Sequence, residues 1–207
     1  MNIEGFKDLQ VFTLGDEMTS PFRLNPFEVM RGVKLQTHID NLRAVFNAGF
    51  VMYAPMPYVL ERCIHEIYHD KGWDLTTNRN RFFDLEDKRP YGIFPTLSDL
   101  YDKIDTVVDA MGYEDRITMD IKAGLKARVG SLRIGGKGSM LDTAHSIPME
   151  ILLSKPTILE LQSIGDDEEK AFIIALLIAR LYEYREAESK RTGSYAGLRH
   201  VTLIEEA

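Results

Sequence analysis

One short stretch of the sequence carries the residue types that bind zinc in metalloproteases. His65-Glu66-Ile-Tyr-His69 is an H-E-x-x-H pattern, and it falls in a segment whose apolar residues have helical spacing. On a helix, residues four positions apart share one face, so both imidazoles can reach one zinc ion while Glu66 acts as general base. The pattern therefore indicates a zinc metalloprotease as one hypothesis.

The third ligand of such a zinc site is harder to find. The longer H-E-x-x-H-x-x-G spacing is met at Gly72, but the position that should then supply a ligand is Leu75. Glu86 lies downstream in a polar segment that is typical of a loop. The helix also carries an apolar stripe, which favours a structural role. The zinc site at His65, Glu66 and His69 is therefore the alternative interpretation.

A second candidate for chemistry is a pair of acids at the end of an apolar stretch. Val201-Thr-Leu-Ile is followed directly by Glu205 and Glu206, which resembles a Walker B element. In a parallel sheet, ligands bind outside the carboxyl ends of the strands. One acid at such an end can hold Mg²⁺ through water, and its neighbour can orient the water that attacks a γ-phosphate. Without further context, the pattern also fits a strand that ends in a solvated acidic turn.

The strands that would position these acids are short. Stretches rich in β-forming residues predict strands near 9–14, 157–162 and 199–205. The nearly continuous apolar segment 171–184 predicts a buried helix between the last two strands. Strand, helix and strand over this length imply a parallel, right-handed crossover. The sequence therefore predicts a parallel sheet with Glu205 and Glu206 at a carboxyl edge.

Helical spacing of apolar residues predicts further helices between the first two strands. Thr96-Leu-Ser-Asp99 is typical of a helix start, with Asp in the usual place of Glu in a capping box. The acidic run 166–169 suits the N-terminus of the later helix. Gly135-Gly136-Lys137-Gly138 predicts a flexible turn. The predicted helices cover 35–50, 56–68, 96–111 and 117–132.

Motifs spread over nearly the whole chain form one set. They are Leu24-Asn-Pro-Phe-Glu-Val29, His38-Ile-Asp-Asn-Leu42, Val45-Phe-Asn-Ala48, Met52-Tyr-Ala-Pro-Met-Pro-Tyr-Val-Leu-Glu61, Gly72-Trp-Asp-Leu75, Phe94-Pro-Thr-Leu-Ser-Asp-Leu100, Leu159-Glu-Leu-Gln-Ser-Ile-Gly-Asp-Asp-Glu-Glu-Lys-Ala-Phe172 and Leu198-Arg-His-Val-Thr-Leu-Ile-Glu-Glu-Ala207. Together they resemble the HerA/FtsK-like family of hexameric DNA-pumping ATPases, specifically the bacterial HerA-type ATP-binding group.

The resemblance implies an α/β fold with an incomplete RecA-like parallel sheet and a large all-helical insertion. Residues 1–32 and 151–207 would belong to the RecA-like core, and 33–150 to the insertion. Glu205 would be the metal-side acid and Glu206 the catalytic acid. Many relatives place Asp first, so the division of labour between these two acids stays open. The intact protein would be a hexamer that binds ATP and Mg²⁺, with DNA and a nuclease as candidate partners.

The phosphate-binding loop of such ATPases is the missing part. No G-x-x-x-x-G-K-[ST] match occurs, because Gly136-Lys137 is followed by Gly138 and position 131 is Ser. We therefore expect that this chain alone binds no ATP or Mg²⁺ and has no significant ATPase activity. A non-enzymatic module that supplies an oligomerisation or interaction surface is the other function class that the sequence leaves open.

Composition and charge indicate where the protein works and which partners to expect. The chain has 207 residues, 44% of them hydrophobic, and one cysteine, Cys63, which fits a reducing, cytoplasmic location. It shows neither a secretory signal nor an apolar run of about 18 residues, so no membrane contact is expected. The net charge of −7 gives no bulk basic footprint for nucleic acid. One basic cluster, formed by Lys122, Lys126, Arg128 and Arg133, predicts either a solvated helix face or part of a DNA channel.

Overall fold

The structure is a computed structural model that describes residues 8–83, 92–193 and 197–205. In chain order the elements are β1 Gln10–Thr13, α1 Leu35–Gly49, α2 Met56–Asp70, β2 Trp73–Asp74, β3 Arg79–Asn80, α3 Leu97–Ala110, α4 Asp115–Ser131, α5 Gly135–Leu141, α6 Met149–Leu153, β4 Thr157–Glu160 and α7 Asp167–Thr192. The described chain is therefore mostly helical, with a small parallel sheet and a short antiparallel pair of strands.

Apolar spacing predicted the helices well. The helices α1 to α4 and α7 lie where the sequence predicts them. Thr96 and Asp99 form a reciprocal capping box: the hydroxyl of Thr96 accepts the N–H of Asp99, and the carboxylate of Asp99 accepts the N–H of Thr96. At the start of α7, Asp166 Oδ1 accepts the N–H of Glu169 at 3.0 Å. These caps satisfy N–H groups that a helix start leaves without partners.

The helices pack in a sequence of neighbours. Helix α1 contacts both α7 and α2, α2 contacts α3, and α3 contacts α4. The rings of Phe46 on α1 and Phe172 on α7 lie 4.9 Å apart between centroids. Gly49 permits this approach, because a Cβ there would lie 2.6 Å from Cβ of Phe172. The longest helix, α7, is thereby fixed against the helical layer by α1.

The parallel sheet consists of β1 and β4 in the register Val11 to Ile158 and Phe12 to Leu159. Phe12 and Leu159 pack against the hydrophobic core. Val11 and Ile158 point to the other face and are 45% and 46% exposed. The period of two in a strand accounts for this alternation. The sheet thus packs on one face only within the described chain.

Two predictions are wrong. The stretch near 199–205 forms no strand: Val201 and Leu203 are 71% and 79% exposed, and no backbone hydrogen bond pairs the stretch with a described strand. A strand is stable only when its N–H and C=O groups pair with a neighbour, and the parallel neighbour of β4 is instead β1. The glycine run at 135–138 is the start of helix α5 rather than a flexible turn.

Membrane insertion finds no support in the helices that the structure describes. Even the 26-residue α7 lacks an apolar stretch of the length that a bilayer crossing requires.

Candidate functional site

The carboxyl edge of the parallel sheet is the place where an α/β fold would bind a ligand. Here the two strands end at Thr13 and Glu160. Thr13 Oγ1 donates to Glu160 Oε2 at 2.8 Å, and the N–H of Leu14 donates to the carbonyl oxygen of Glu160 at the same distance. A buried hydroxyl and a carboxylate therefore lie side by side at this edge, already bonded to each other.

Glycine residues bring helix α5 against the same edge. Gly15 follows β1 with a φ of +82°, a conformation that favours glycine. A Cβ on Gly136 would lie 1.8 Å from the carbonyl oxygen of Gly15, and one on Gly138 would lie 2.2 Å from that of Arg133. Close backbone packing thus requires Gly136 and Gly138, whereas Gly135 has a φ of +66°, a conformation that favours glycine. This explains the Gly-Gly-Lys-Gly sequence without a phosphate.

A lysine and a buried acid complete the edge. Lys137 on α5 forms an ion pair with Glu169, which lies in the first turn of α7 and is 5% exposed. The side chain of Ile164 lies beside Gly15, at 2.8 Å from where a Cβ of Gly15 would be. We call Thr13, Gly15, Lys137, Glu160 and Glu169 the carboxyl-edge cluster. Its polar side chains are bonded to one another in two pairs, Thr13 with Glu160 and Lys137 with Glu169.

The two predicted acids are not joined to this cluster by any described contact. Glu205 lies in an exposed segment without regular structure, and it makes no hydrogen bond or ion pair with another described residue. Glu206 lies outside the described residues. The segment begins near the C-terminal half of α7, where Arg199 lies 3.7 Å from the carboxylate of Glu188. The metal and catalytic roles of Glu205 and Glu206 therefore stay predictions.

The H-E-x-x-H residues lie on α2, as the sequence predicts. His65 and Glu66 are half-buried and His69 is exposed, whereas the opposite face of α2 packs in the core. Among the residues with described positions, no set of three His, Cys, Asp or Glu side chains converges as a metal site. Glu86, the suggested third ligand, falls in the 84–91 gap. The geometry of the described chain thus gives the zinc hypothesis no further support.

The basic residues of the fourth predicted helix are bonded within the chain. Lys122 and Lys126 pair with acids of α3, so α3 and α4 are joined by two ion pairs. Arg128 donates to carbonyl oxygens and Arg133 to a hydroxyl, and Nε of Arg133 lies 3.5 Å from a carboxylate oxygen. Lys122 pairs with Asp109, and Lys126 pairs with Asp105. The acceptors of Arg128 are the carbonyl oxygens of Gly124 and Val51. The partners of Arg133 are Ser98 and Asp142. Each of the four cations thus has partners within the chain, although Nε of Arg128 and Nε of Arg133 have no hydrogen-bond partner among the described residues.

A buried polar network around Glu28 is a feature that sequence reasoning missed. The carboxylate of Glu28 accepts the N–H of Ser146 at 2.7 Å and lies 3.6 Å from Nη2 of Arg180. Arg180 is 3% exposed and also donates to the main-chain oxygen of Glu28. Asn25 accepts the N–H of Phe27 and donates to Pro95 at 3.0 Å, which fixes the bend that presents Glu28. In the sequence, the one sign of this network is Arg180, a charged residue inside the apolar stretch of α7.

One turn further along α7, Glu183 joins the same buried layer. Its carboxylate accepts hydrogen bonds from Asn41 at 2.9 Å and contacts the imidazole of His38 at 3.0 Å. Burial acts to raise the pKa of Glu183, but the charge and hydrogen bond of His38, with Asn41 and Arg180, lower it below its usual value. The loop at 25–28, α1 and α7 are thus held together by ionised side chains in the core.

Comparison with solved structures finds a protein with a similar fold. It is similar to the structure of VirB4 of Thermoanaerobacter pseudethanolicus, with a TM-score of 0.57 and 16% sequence identity. The match covers 89% of this chain and 44% of VirB4, so the chain spans less than half of that protein's length.

The likeness to VirB4 concerns the fold alone, because the sequence identity is low. Neither a protein-family model nor a curated protein matches the sequence.

Proposed function

We propose that this chain is a segment of a HerA-like motor ATPase that couples ATP hydrolysis to DNA movement. The observation that carries the proposal is the likeness to the VirB4 fold over 89% of the chain. The motif set of the sequence, which resembles the HerA/FtsK-like ATPases, is the second support for the proposal.

The positions of two motifs support the proposal. Leu24–Val29 and His38–Leu42 both contribute to the buried network, through Glu28 in the first and His38 with Asn41 in the second. Residues that carry the resemblance thus hold the loop, α1 and α7 together. This is the role expected of motifs that define a fold, since buried charges need partners at fixed positions.

The division of labour that we propose follows from the chemistry of the acids. Glu205 holds Mg²⁺ through water and Glu206 orients or deprotonates the attacking water, while the phosphate-binding loop is supplied from outside this chain. The sequence has no G-x-x-x-x-G-K-[ST] match, so the 207-residue chain alone is expected to release no phosphate from ATP.

Phosphate release by a longer polypeptide that contains this chain tests the proposal. We expect Glu206→Gln to lower the rate of ATP hydrolysis by about 10²- to 10⁴-fold, because a general base contributes about that much. Binding of ATP, measured by calorimetry, should remain. Glu168→Gln, which removes an exposed acid from the first turn of α7, is the matched control and should keep full activity.

Two further measurements separate a motor from an interaction module. We expect light scattering to give a hexamer for the longer polypeptide, and DNA to stimulate its hydrolysis in a manner that weakens with added salt. Unchanged hydrolysis in Glu206→Gln, or assembly without any nucleotide binding, would leave the module as the function of this chain.

A further inference from the structure

A cleft of about 680 Å³ lies between the C-terminal half of α7 and the loops at 28–32 and 146–150. This volume falls within the range of about 300–1,000 Å³ that is typical of small-molecule sites. Part of its lining is apolar and comes from Met30, Met149 and Tyr184. The cleft is therefore large enough, and apolar enough, to take the body of a small organic molecule.

Arg180 lines this cleft and is 3% exposed. A guanidinium group offers five N–H donors in a fixed plane. Two nitrogens of Arg180 are in use: Nη1 donates to the main-chain oxygen of Glu28, and Nη2 lies 3.5 Å from Ser146 Oγ. Nε is buried without a hydrogen-bond partner in the part of the chain that the structure describes. The guanidinium thus retains donor capacity.

The negative charge next to Arg180 is shared with other donors. Glu28 Oε2 lies 3.6 Å from Arg180 Nη2, a long ion pair, and also accepts the N–H of Ser146 at 2.7 Å. Glu28 Oε1 lies 3.4 Å from Nδ1 of His145. Burial lowers the pKa of Arg180, although Glu28 and Glu183 oppose this effect. An additional anion would therefore stabilise the buried cation.

The rim of the cleft adds positive charge. Arg31, Lys190 and Arg191 line it and are exposed. Two acids, Glu150 and Glu188, also line the cleft; the carboxylate of Glu188 is held by Arg185 at 2.7 Å, and Nζ of Lys190 is held by Glu186 at 2.6 Å. With Arg180 and Glu28 included, four cations and three acids line the cleft, a small excess of positive charge.

We propose that this cleft binds a small organic anion, with its phosphate or carboxylate group at Arg180 and the rim cations and its apolar body against Met30, Met149 and Tyr184. The cleft is separate from the carboxyl-edge cluster, because Arg180 lies three turns, or ~16 Å, beyond Glu169 on α7. The proposal therefore stands apart from the ATPase assignment.

Titration of the 207-residue chain with phenyl phosphate and with phenylacetate, followed by amide NMR shifts, tests the proposal. We expect saturable shifts confined to residues 30–32, 146–150 and 180–191 with at least one of the two anions. The tighter of the two identifies the anionic group. Phenol, which keeps the ring but lacks the charge, should give no saturable shift, and added salt should weaken the binding of the anions.

Two exposed rim arginines can be changed without removing a buried residue. Arg31→Ser with Arg191→Ser should weaken binding by about tenfold or more, as expected for the loss of charge-assisted contacts. Arg62→Ser with Arg116→Ser, two exposed arginines away from the cleft, changes the net charge equally and should leave binding unchanged. Arg180→Lys, once circular dichroism shows it folded, should also weaken binding because an ammonium cannot reproduce the planar fork.

Three results would overturn the proposal. The first is no saturable shift with either anion up to about 10 mM, which is weaker than the affinity of a specific site. The second is equal binding of phenol, and the third is equal loss in the two double variants.

Discussion

Nδ1 of His38 lies 3.0 Å from each carboxylate oxygen of Glu183, and both side chains are buried. On the other side of the ring, Nε2 lies 3.0 Å from the carbonyl oxygen of Pro26. Each ring nitrogen therefore faces an oxygen acceptor, and only the doubly protonated ring can donate to both. The contact thus joins α1 to α7 through a buried imidazole and a buried carboxylate.

Removal of Glu183 from this pair should lower stability in a pH-dependent way. The pKa of Glu183 is below its ordinary value of 4.5 in the folded chain, so its stabilising contribution is present above that pH and is lost as the pH falls through the folded pKa. We expect Glu183→Gln to lower the free energy of unfolding by about 3–5 kcal/mol at neutral pH. Urea unfolding between about pH 3 and pH 7 should show the difference from the parent shrinking at the acid end. An equal difference at both ends would contradict this account.

Loss of the capping box at α3 should have a smaller effect. Thr96→Ala removes the acceptor of the Asp99 N–H and should lower the free energy of unfolding by about 1 kcal/mol. Thr106→Ala on the same helix is the control, since the hydroxyl of Thr106 only donates to the carbonyl oxygen of Lys103 at an exposed position. Chemical denaturation of both variants checks this; equal losses would argue against a specific cap.

Gly136 should tolerate no side chain. In Gly136→Ala the new Cβ would lie 1.8 Å from the carbonyl oxygen of Gly15, so α5 must move away from the carboxyl edge. We expect a loss of at least about 1–3 kcal/mol in the free energy of unfolding, as for other overpacked sites. Gly165→Ala meets nothing within 4 Å and serves as the control. Thermal unfolding of the pair decides the matter, and a Gly136→Ala variant as stable as Gly165→Ala would disprove the close approach.

Cys63 should be unreactive in the folded chain. The residue is fully buried, and burial raises the pKa of its thiol to about 12 against the opposing charges of Lys103 and Arg62. Only the thiolate attacks a disulfide reagent, so labelling at about pH 8 should be slow in the native protein and rapid in denaturant. Time-resolved labelling with a chromogenic disulfide measures both rates. Fast labelling in native buffer would place Cys63 at an accessible position.

Local patterns predicted much of the helical structure, because local physics decides it. The apolar stripes of α1 to α4 and the caps at Thr96 and Asp166 depend on residues within a few positions of each other, and the structure has them where the sequence predicts. The strands β1 and β4 were predicted individually for the same reason. Their pairing with each other was not predicted, since it joins residues on either side of the whole helical block.

The features that were missed depend on distant partners. Glycine-rich 135–138 has low helix propensity, yet it forms α5 because Gly136 packs against Gly15. The contact between His38 and Glu183 joins residues 145 positions apart, so it cannot be predicted from residue spacing along the chain. A buried glutamate in an apolar helix indicates that some cation is near, but it does not identify His38. The described contacts do not test the predicted sites at Glu205, Glu206 and the H-E-x-x-H motif.

The outward pair of Val11 and Ile158 has a consequence for any strand that joins this sheet. Both residues stand side by side on the face that the described chain leaves open, and neighbouring positions turn inward. An incoming strand can slide past β1 or β4 only in steps of two residues, because a one-residue slip would bring its polar side chains over this apolar pair. The register of an added strand can therefore change only by an even number of residues, and contacts with Val11 and Ile158 determine which register is most stable.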